Sequence, residues 1–498
     1  MKIKVLVHPI ANYHGEAVIL SLFEDEKPTG GPTAAIGRAL GALISKLRKE
    51  NEITGKLGEV TVLHACKDMK TSRVIVVGLG KRSEFGYEHI RRAAGAAAKK
   101  ARQINAKHIG TLVHGAGNEG LDTALAVQSV VEGTCLALYE FSAYKQADTK
   151  RRINELAIIM PGCKDAGRLR SAAARGQTLA DAQNIARDLI NEPGNNLTPE
   201  RLHKRVQSII RDWGLSGVIK CRCLNQNTLK RMGMGALLAV AQGSVHPARF
   251  IVLHLKTARR PLVSLIGKTV TFDSGGISIK PSTGMGSMKG DMAGGAIAFA
   301  TTLALARTKC RINLMTLIPA VENMPSGSAS RPGDIVRAMN GKTVEIISTD
   351  AEGRMTLADA LVYAEKKGAG VIVDIATLTG GCVVALGNLI AALMGNDQAL
   401  AERLIELSDL TGEKFWQLPL CEEYQKQIKS DVADLKNSGG RDASTITAGL
   451  FLKSFVDKAR WLHIDIAGKE LAEKEAHYTP RGATGFGVRS LYDLFRAL

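Results

Sequence analysis

Residues 262–281 read LVSLIGKTVTFDSGGISIKP, and this stretch decides the fold. The apolar, β-branched run over 262–272 predicts a buried strand, which ends in the glycine turn at 273–276. A second stretch, TVEIISTDAEGRMTLADAL at 343–361, repeats the pattern of strand, polar turn and helix. Such alternation is typical of a mostly parallel sheet covered by helices on both faces.

The same alternation extends in both directions along the 498-residue chain. Further strands are predicted at 249–255, 312–319, 370–376, 389–394 and 460–466, with helices that include 292–307, 355–367 and 399–411. Upstream, strands are predicted at 2–8, 17–23 and 73–80, with helical runs over Ala34–Glu50 and Tyr87–Asn105. The predicted fold class is therefore α/β, with a mixed or mostly parallel sheet flanked by helices in each of two domains.

A polar, arginine-rich helix over 165–191 separates the two domains and ends in the loop NEPGNNLTPE. Asn, Gly and two prolines in this loop are strong helix-stop signals. The predicted organisation is an N-terminal α/β domain at 1–160, a linker helix at 161–190 and a C-terminal domain at 191–498. The C-terminal domain carries the polar loops described below.

Composition excludes several classes of protein. No run approaches the roughly 20 apolar residues of a membrane helix, and His8, Pro9 and Asn12 interrupt the N-terminal apolar run too early for a signal peptide. A cytoplasmic protein without membrane contact is expected. The eight cysteines are scattered without a C-x-x-C pair, which favours free structural thiols.

Two glycine-containing patterns do not match nucleotide-binding motifs. The G-L-G at 78–80 lacks the third glycine of a dinucleotide motif and is interpreted as a turn. Both G-K-T triplets lack the first glycine of a P-loop, because Leu262 and Val336 stand in its place.

The net charge of +18 is concentrated in residues 201–260, which hold twelve Lys or Arg and one acid, Asp212. A basic block of this kind could attract nucleic acid or acidic peptides. No interleaved aromatics or recognisable nucleic-acid motif accompany it. Nucleic-acid binding is therefore possible but not favoured, and a solvated face is the preferred interpretation.

Polar residues gather where the predicted strands of the C-terminal domain end, and ligands of open α/β sheets bind at that edge. These residues are Lys268, Asp273, Lys280, Asp291, Asp350, Glu352 and Arg354. Taken singly, Asp291, Asp350 or Glu352 could simply stabilise a helix N-terminus. Four carboxylates in one crevice, however, repel one another unless cations are present, and oxygen-rich sites suit divalent metal ions. These loops contain neither histidine nor a G-x-S-x-G motif, which disfavours a His-based zinc site and a serine hydrolase.

Five segments closely resemble the leucyl aminopeptidase family, also called cytosol aminopeptidases. They are NEPGNNLTP (191–199), GKTVTFDSGGISIKP (267–281), MKGDMAGG (288–295), STDAEGRMTLADAL (348–361) and YTPRGATGFGVRSL (478–491). The resemblance runs through residues 190–498, and the first third looks like the smaller domain of the family. It implies a metallo-exopeptidase that removes N-terminal residues from peptides and assembles as a homohexamer.

The resemblance also implies roles for individual residues. Two divalent ions, Mn²⁺ or Zn²⁺, would be held by Lys268, Asp273, Asp291, Asp350 and Glu352, with Asp273 and Glu352 shared. Lys280 and Arg354 would be catalytic, Lys280 by stabilising the oxyanion. Arg354 and the backbone of Ala351, Gly353 and Leu378 would hold a bicarbonate that shuttles protons.

The pocket for the first side chain of the substrate is implied in the same way. Its residues would be Met288, Thr377, Gly380 and Ala467, which favour Leu or Met. Glu470 stands three residues beyond Ala467, where the family usually has a small or apolar residue. Its carboxylate either turns to solvent or pairs with Lys469 or Lys474, or it rims the pocket and pairs with a basic first residue.

Two other functions compete with a peptidase. One is a binding protein that uses the aminopeptidase scaffold to contact DNA through the basic block. The other is a two-metal phosphatase or nuclease, which leaves Met288 and Thr377 beside the site without a use.

Overall fold

The computed structural model describes residues 1–25, 38–64, 70–115, 120–145 and 152–498. Within them the chain forms two compact units. The first unit comprises Met1–Asp181, Asp409–Gly412 and Lys474–Arg481, and the second comprises Ala182–Ser408, Glu413–Glu473 and Gly482–Leu498. The predicted α/β class with two domains is confirmed.

The described part of the first unit has a six-stranded sheet in the order β1-β6-β5-β2-β4-β3, parallel except for β3. Its strands are β1 (Lys2–Leu6), β2 (Ala17–Leu22), β3 (Val60–His64), β4 (Arg73–Gly78), β5 (His108–Leu112) and β6 (Glu155–Ile159). Its helices are α1 (Arg38–Lys49), α2 (Tyr87–Gln103), α3 (Thr123–Ala137) and most of α4 (Ala166–Asn191). Strand β2 is buried along its whole length, as its uninterrupted apolar sequence requires.

The second unit carries the remaining elements. Its strands are β7 (Ile219–Asn225), β8 (Arg249–Lys256), β9 (Val263–Gly267), β10 (Thr269–Asp273), β11 (Asn313–Asn323), β12 (Ile335–Arg337), β13 (Thr343–Glu345), β14 (Val371–Ala376), β15 (Ile390–Gly395), β16 (Lys414–Gln417), β17 (Leu435–Lys436), β18 (Arg460–Asp465), β19 (Leu471–Ala472) and β20 (Gly482–Ala483). Its helices are α5 (Pro199–Asp212), α6 (Gln226–Arg231), α7 (Gly235–Ala241), α8 (Ala293–Arg307), α9 (Glu352–Lys366), α10 (Gly380–Leu386), α11 (Gln398–Thr411), α12 (Ser444–Lys453) and α13 (Val488–Ala497).

The main sheet of the second unit is mixed. In the described residues it has nine strands in the order β16-β15-β18-β14-β9-β11-β8-β7, with β10 paired to β11 outside this path. The central strands β18, β14, β9 and β11 run parallel, while β15 and β8 flank them in antiparallel pairings. The carboxyl ends of the central strands therefore meet at one edge of the sheet.

The predicted strand at 262–272 is broken at Lys268 into β9 and β10. The backbone N–H of Lys268 donates to Ile375 O at 3.0 Å, and its carbonyl accepts from the N–H of Gly295 in α8 at 2.9 Å. This approach of helix to strand requires glycine, because a Cβ at Gly294 would lie 2.2 Å from Ile375 O and 2.8 Å from Lys268 N. The sequence pattern did not reveal this helix–strand contact.

Two helices differ from their predicted bounds in ways that affect the site. Helix α9 begins at Glu352, three residues earlier than predicted, so Glu352 lies in its first turn. Asp291 does not open α8; it lies in the preceding 3₁₀ helix Met285–Met292, and the α8 N-cap, Met292, makes no side-chain capping bond. The capping interpretation of Asp291 is therefore wrong, and its side chain is available for other contacts.

Three fully buried side chains form a polar network between neighbouring strands β14 and β18. Asp374 accepts a hydrogen bond from Trp461 Nε1 at 2.7 Å and contacts His463 Nδ1 at 2.5 Å. Asp374 and His463 are direct cross-strand partners. His463 is thus a core residue, as predicted, and its imidazole is oriented by the aspartate.

Further predictions concern cysteines, membranes and the first helix. Of the seven cysteines in the described ranges, none forms a disulfide, whereas Cys66 lies outside those ranges. No described helix is both long and apolar enough to cross a membrane. Residues 34–37 of the predicted helix Ala34–Glu50 also lie outside the described ranges, and the rest forms α1.

Asp374→Asn is expected to destabilise the second unit. An amide cannot accept from both Trp461 and His463 as the carboxylate does, and losing a hydrogen bond to a buried charge costs about 1.5–3 kcal/mol. Calorimetry should show a melting temperature several degrees lower than that of Asp442→Asn, which changes an exposed acid. Equal melting temperatures for the two variants would show that the network contributes nothing to stability.

Candidate metal centre

The seven polar residues selected from the sequence lie at or near the carboxyl edge of the parallel strands. They are placed as follows: Lys268 between β9 and β10, Asp273 at the end of β10, Lys280 in the following loop, Asp291 in the 3₁₀ helix, Asp350 before α9, and Glu352 and Arg354 in its first turn. One carboxylate oxygen from each of Asp273, Asp350 and Glu352 lies within 4.8 Å of the other two. The structure brings these three acids together.

Lys268 is the buried cation of the cluster. Its Nζ lies 2.8 Å from Asp291 Oδ1 and 2.8 Å from Glu352 Oε1, and it donates to Thr377 O at 2.7 Å. Burial lowers the pKa of Lys268, but the carboxylates of Asp291 and Glu352 outweigh burial and raise it above its usual value. Among protein groups alone, Lys268 is an ammonium that joins two acids.

Lys280 joins the other two acids, Asp273 and Asp350, in the same way. Its Nζ lies 2.8 Å from Asp273 Oδ2 and also pairs with Asp350 Oδ1. Burial lowers the pKa of Lys280, and Asp273 more than reverses this effect, so the pKa is raised. Unlike Lys268, this side chain is about one-fifth exposed and can reach a bound molecule.

The positive charge of the two lysines does not balance the negative charge of the acids. Burial raises the pKa of Asp291 well above its usual value, and burial together with the nearby Glu352 raises that of Asp273. Asp291 Oδ2 is buried without a hydrogen-bond partner in the described residues. The cluster contains four carboxylates and two ammonium groups, and one of the carboxylates, Asp291, has an unpaired buried oxygen. This donor set fits divalent cations.

A second layer orients Asp273 and was missed in the sequence. Asp273 Oδ1 accepts from Asn323 Nδ2 at 2.8 Å and from Gly275 N at 2.9 Å, which leaves Oδ2 facing Lys280. Asn323 also donates to Thr349 O at 3.0 Å. The predicted strand at 312–319 stopped four residues short of the observed end of β11, so Asn323 was not recognised as a strand-end residue.

Arg354 lies in the first turn of α9 and is buried. Its Nη1 donates to Asn437 O at 2.9 Å, while its Nε has no partner in the described part of the chain. Burial lowers the pKa of Arg354 to about 10. A guanidinium with an unused buried donor suits a small planar anion.

The three backbone amides named with Arg354 differ in their availability. Ala351 N donates to Ser348 O at 3.3 Å, and Leu378 N donates to Asp465 Oδ1 at 3.1 Å. Both amides would have to exchange partners to hold an anion. Gly353 lies between Glu352 and Arg354 in the first turn of α9.

The residues expected to line the pocket for the first side chain come from four segments of the second unit. Met288 lies in the 3₁₀ helix, Thr377 follows β14 and donates to Asp291 Oδ1 at 2.7 Å, and Gly380 begins α10. Ala467 follows β18, and its N–H donates to Asp465 Oδ1 at 3.1 Å.

Asp465, a second residue missed in the sequence, joins two of these segments. Its Oδ1 accepts from the N–H groups of both Leu378 and Ala467, and its Oδ2 accepts from Thr379 Oγ1 at 2.7 Å. It is fully buried at the end of β18. The position of Asp465 at the end of a strand could have indicated a site residue, but the HIDI run (463–466) has the pattern of a core strand.

Glu470 is half-buried rather than turned fully to solvent. Its Oε2 is shielded from solvent and has no hydrogen-bond partner among the described residues. Lys469 does not pair with it, because Lys469 Nζ donates to Ala467 O at 2.8 Å and Cys382 Sγ at 3.4 Å.

The basic block is an exposed surface. All of its Lys and Arg side chains are exposed except Arg249, which is half-buried. Arg249 and Lys204 both pair with Glu200, at 3.2 and 2.9 Å. This agrees with the interpretation of the block as a solvated face.

Two family descriptions match the chain. The catalytic domain of the cytosol aminopeptidase family matches residues 184–492, and the N-terminal domain of that family matches residues 19–148. A probable cytosol aminopeptidase of Geotalea uraniireducens is 42% identical over 467 residues, which is 93% of each chain. Another, of Alkaliphilus metalliredigens, is 39% identical over 503 residues and all of both chains.

Solved structures agree with these relatives. The bottromycin maturation enzyme BotP, in complex with Mn, has 33% identity and a TM-score of 0.85 over 97% of this chain and 99% of its own. A mutant of tomato leucine aminopeptidase has 31% identity and a TM-score of 0.87 over 100% of this chain and 97% of its own.

Gly353→Ala is expected to disable the cluster. A Cβ at Gly353 would lie 2.3 Å from Lys268 Cε and 2.6 Å from its Nζ, so the lysine must move. Misplacement of a reacting group by about 1 Å can cost about 100-fold in rate. Hydrolysis of leucine amide should fall by at least that factor, whereas Gly370→Ala, which has open space around it, should match wild type. Wild-type turnover in Gly353→Ala would show that the position of Lys268 is not critical.

Proposed function

Because this chain belongs to the cytosol aminopeptidase family, we propose that it removes Leu- or Met-like residues from the N-termini of peptides by a two-metal, bicarbonate-assisted mechanism. The enzyme is a metal-dependent aminopeptidase. The observation that carries the mechanism is the cluster in which ligand oxygens of the buried Asp273 and Glu352 and the exposed Asp350 lie within 4.8 Å of one another.

Two overlapping sets of residues would hold the ions. Lys268, Asp273, Asp291 and Glu352 would form one site, and Asp273, Asp350 and Glu352 the other. Divalent ions at such sites supply a Lewis acid for the scissile carbonyl and activate water as the nucleophile. Mn²⁺ and Zn²⁺ both suit a site of carboxylates and one amine.

Lys268 can be a ligand only as the neutral amine, so it must lose the proton that Asp291 and Glu352 now stabilise. Its burial assists this loss, because desolvation favours the neutral form. Metal uptake should therefore release protons and strengthen as the pH rises.

Lys280 is the candidate for oxyanion stabilisation. It is held as an ammonium by Asp273 and Asp350 and is the more exposed of the two lysines. A preorganised cation near the developing alkoxide stabilises the tetrahedral transition state more than the ground state. Its carboxylate partners keep it in place before substrate arrives.

Arg354 would hold bicarbonate next to the reacting water. The unpaired Nε supports this assignment, since a buried donor without an acceptor is costly unless an anion fills the place. The chemistry that bicarbonate would supply when held by Arg354 is general acid–base catalysis.

Asp291 explains why only N-terminal residues are removed. Its unpaired Oδ2 is a buried acceptor that a free α-amine can satisfy, whereas an internal peptide nitrogen offers one hydrogen and no charge. The hydrogen bond from Thr377 fixes the carboxylate for this contact. Thr377, with Met288, Gly380 and Ala467, would then surround the first side chain.

The proposal extends to the setting of the enzyme. We expect a cytoplasmic homohexamer that acts in peptide catabolism; the names of the curated relatives support the location. Nucleic-acid binding by the basic block stays possible but is not favoured.

Glu352→Ala should abolish activity and lower metal content, since it removes a ligand shared by both ions. The expected result is less than about 1% of wild-type leucine amide hydrolysis, with bound Mn²⁺ or Zn²⁺ reduced in elemental analysis, because the ligands supply the Lewis-acid chemistry. Asp431→Ala, at an exposed acid, is the control. Normal turnover of a metal-replete Glu352→Ala enzyme would contradict the two-metal assignment.

Lys280→Met should lower kcat without unfolding the protein. Loss of one oxyanion donor typically costs about 10²–10³ in turnover. Metal content and melting temperature should stay close to those of Lys429→Ala, a variant at an exposed lysine. An unchanged kcat would make Lys280 a structural partner of Asp273 and Asp350 only.

A further inference from the structure

Glu470 presents a half-buried acidic group that the mechanism does not use. Its Oε2 is shielded from solvent and has no hydrogen-bond partner in the described residues. Its backbone is fixed, because Glu470 O accepts from Thr484 N at 3.0 Å. A buried carboxylate oxygen without a hydrogen-bond partner costs folding free energy, and a functional role is one explanation for such a group.

The neighbouring cations are directed elsewhere. Lys469, the adjacent residue, is buried with its Nζ on Ala467 O and Cys382 Sγ. Burial raises the pKa of Glu470, and the backbone N–H groups of Glu470 and Gly468 together with the charge of Lys469 offset this only in part. A cationic group supplied from outside the chain would complete the contacts of this carboxylate.

The side chain lies beside the metal-centre segment. A Cβ at Gly290 would come within 3.5 Å of Glu470 Cγ, and Gly290 directly precedes Asp291. Glu470 is therefore packed against the 3₁₀ helix that also carries Met288. In the chain, Glu470 is the third residue after Ala467, whose backbone N–H shares the Asp465 carboxylate with Leu378 N.

We infer that Glu470 forms an acidic wall of the pocket for the first side chain, and that the enzyme accepts Lys and Arg at the N-terminus as well as Leu and Met. This inference rests on the proposed function, because it needs the first residue to lie between Met288 and Ala467. The long apolar stem of Lys or Arg would pass the small and thioether residues. Its charged end would then pair with the carboxylate of Glu470.

The position of Glu470 predicts a larger effect on substrate preference than an exposed acid would have. The side chain is half-buried with one oxygen shielded, so a pair formed there is screened less by salt than a pair at an exposed acid. An exposed acid such as Glu473, three residues further on, would give a small and salt-sensitive preference instead. Glu473 is accordingly the matched control.

The test compares substrates that differ only in charge. The kcat/KM values of lysine and norleucine amides, and of arginine and citrulline amides, are measured on metal-loaded wild type, Glu470→Gln and Glu473→Gln. We expect Glu470→Gln to lower both charged-to-neutral ratios at least fivefold, and Glu473→Gln to leave them within twofold of wild type.

The outcomes separate this inference from the proposed function. Ratios in Glu470→Gln within twofold of wild type, or an equal loss for all four amides, would overturn the acidic wall while leaving the aminopeptidase intact. Failure of metal-loaded wild type to hydrolyse leucine amide would overturn the proposed function itself. Glu470→Met, which removes all polarity, should shift the ratios further in the same direction, and a shift the other way would also overturn the inference.

Discussion

Repulsion among four neighbouring carboxylates, three of them buried, is the constraint on which the site depends. Asp273, Asp291, Asp350 and Glu352 meet in a crevice where like charges are poorly screened. Lys268 joins Asp291 to Glu352, and Lys280 joins Asp273 to Asp350. As ammonium groups, the two lysines balance two of the four acids. Two divalent ions would carry enough charge to balance all four and would allow Lys268 to become a neutral ligand.

The scaffold brings these groups together by ending strands and helices at one edge. The break between β9 and β10 lets Lys268 reach Ile375 O and Gly295 N through its backbone, so its side chain enters the cluster. Glycine at 294 and 353 makes room for this lysine. The site thus depends on close backbone approach as much as on the identity of its ligands.

Much of this could be predicted from the sequence, because it follows from local patterns. Strand–turn–helix periodicity gave the fold class, and polar residues at strand ends gave the acids. What the sequence did not give depends on long-range contacts. Asn323 and Asp465 lie in runs that read as core, and only the fold shows that they orient Asp273 and Ala467. The unpaired state of Glu470 likewise depends on where Lys469 turns.

The central claim is that the acids hold two cations with Lys268 as a neutral ligand. Anomalous diffraction from crystals soaked in Mn²⁺ tests it most directly. The account predicts two peaks about 3.5–4 Å apart, both in contact with Glu352 and Asp273, and Lys268 Nζ bound to one of them. Absence of peaks from the cluster, with Lys268 still paired to Asp291 and Glu352, would contradict it.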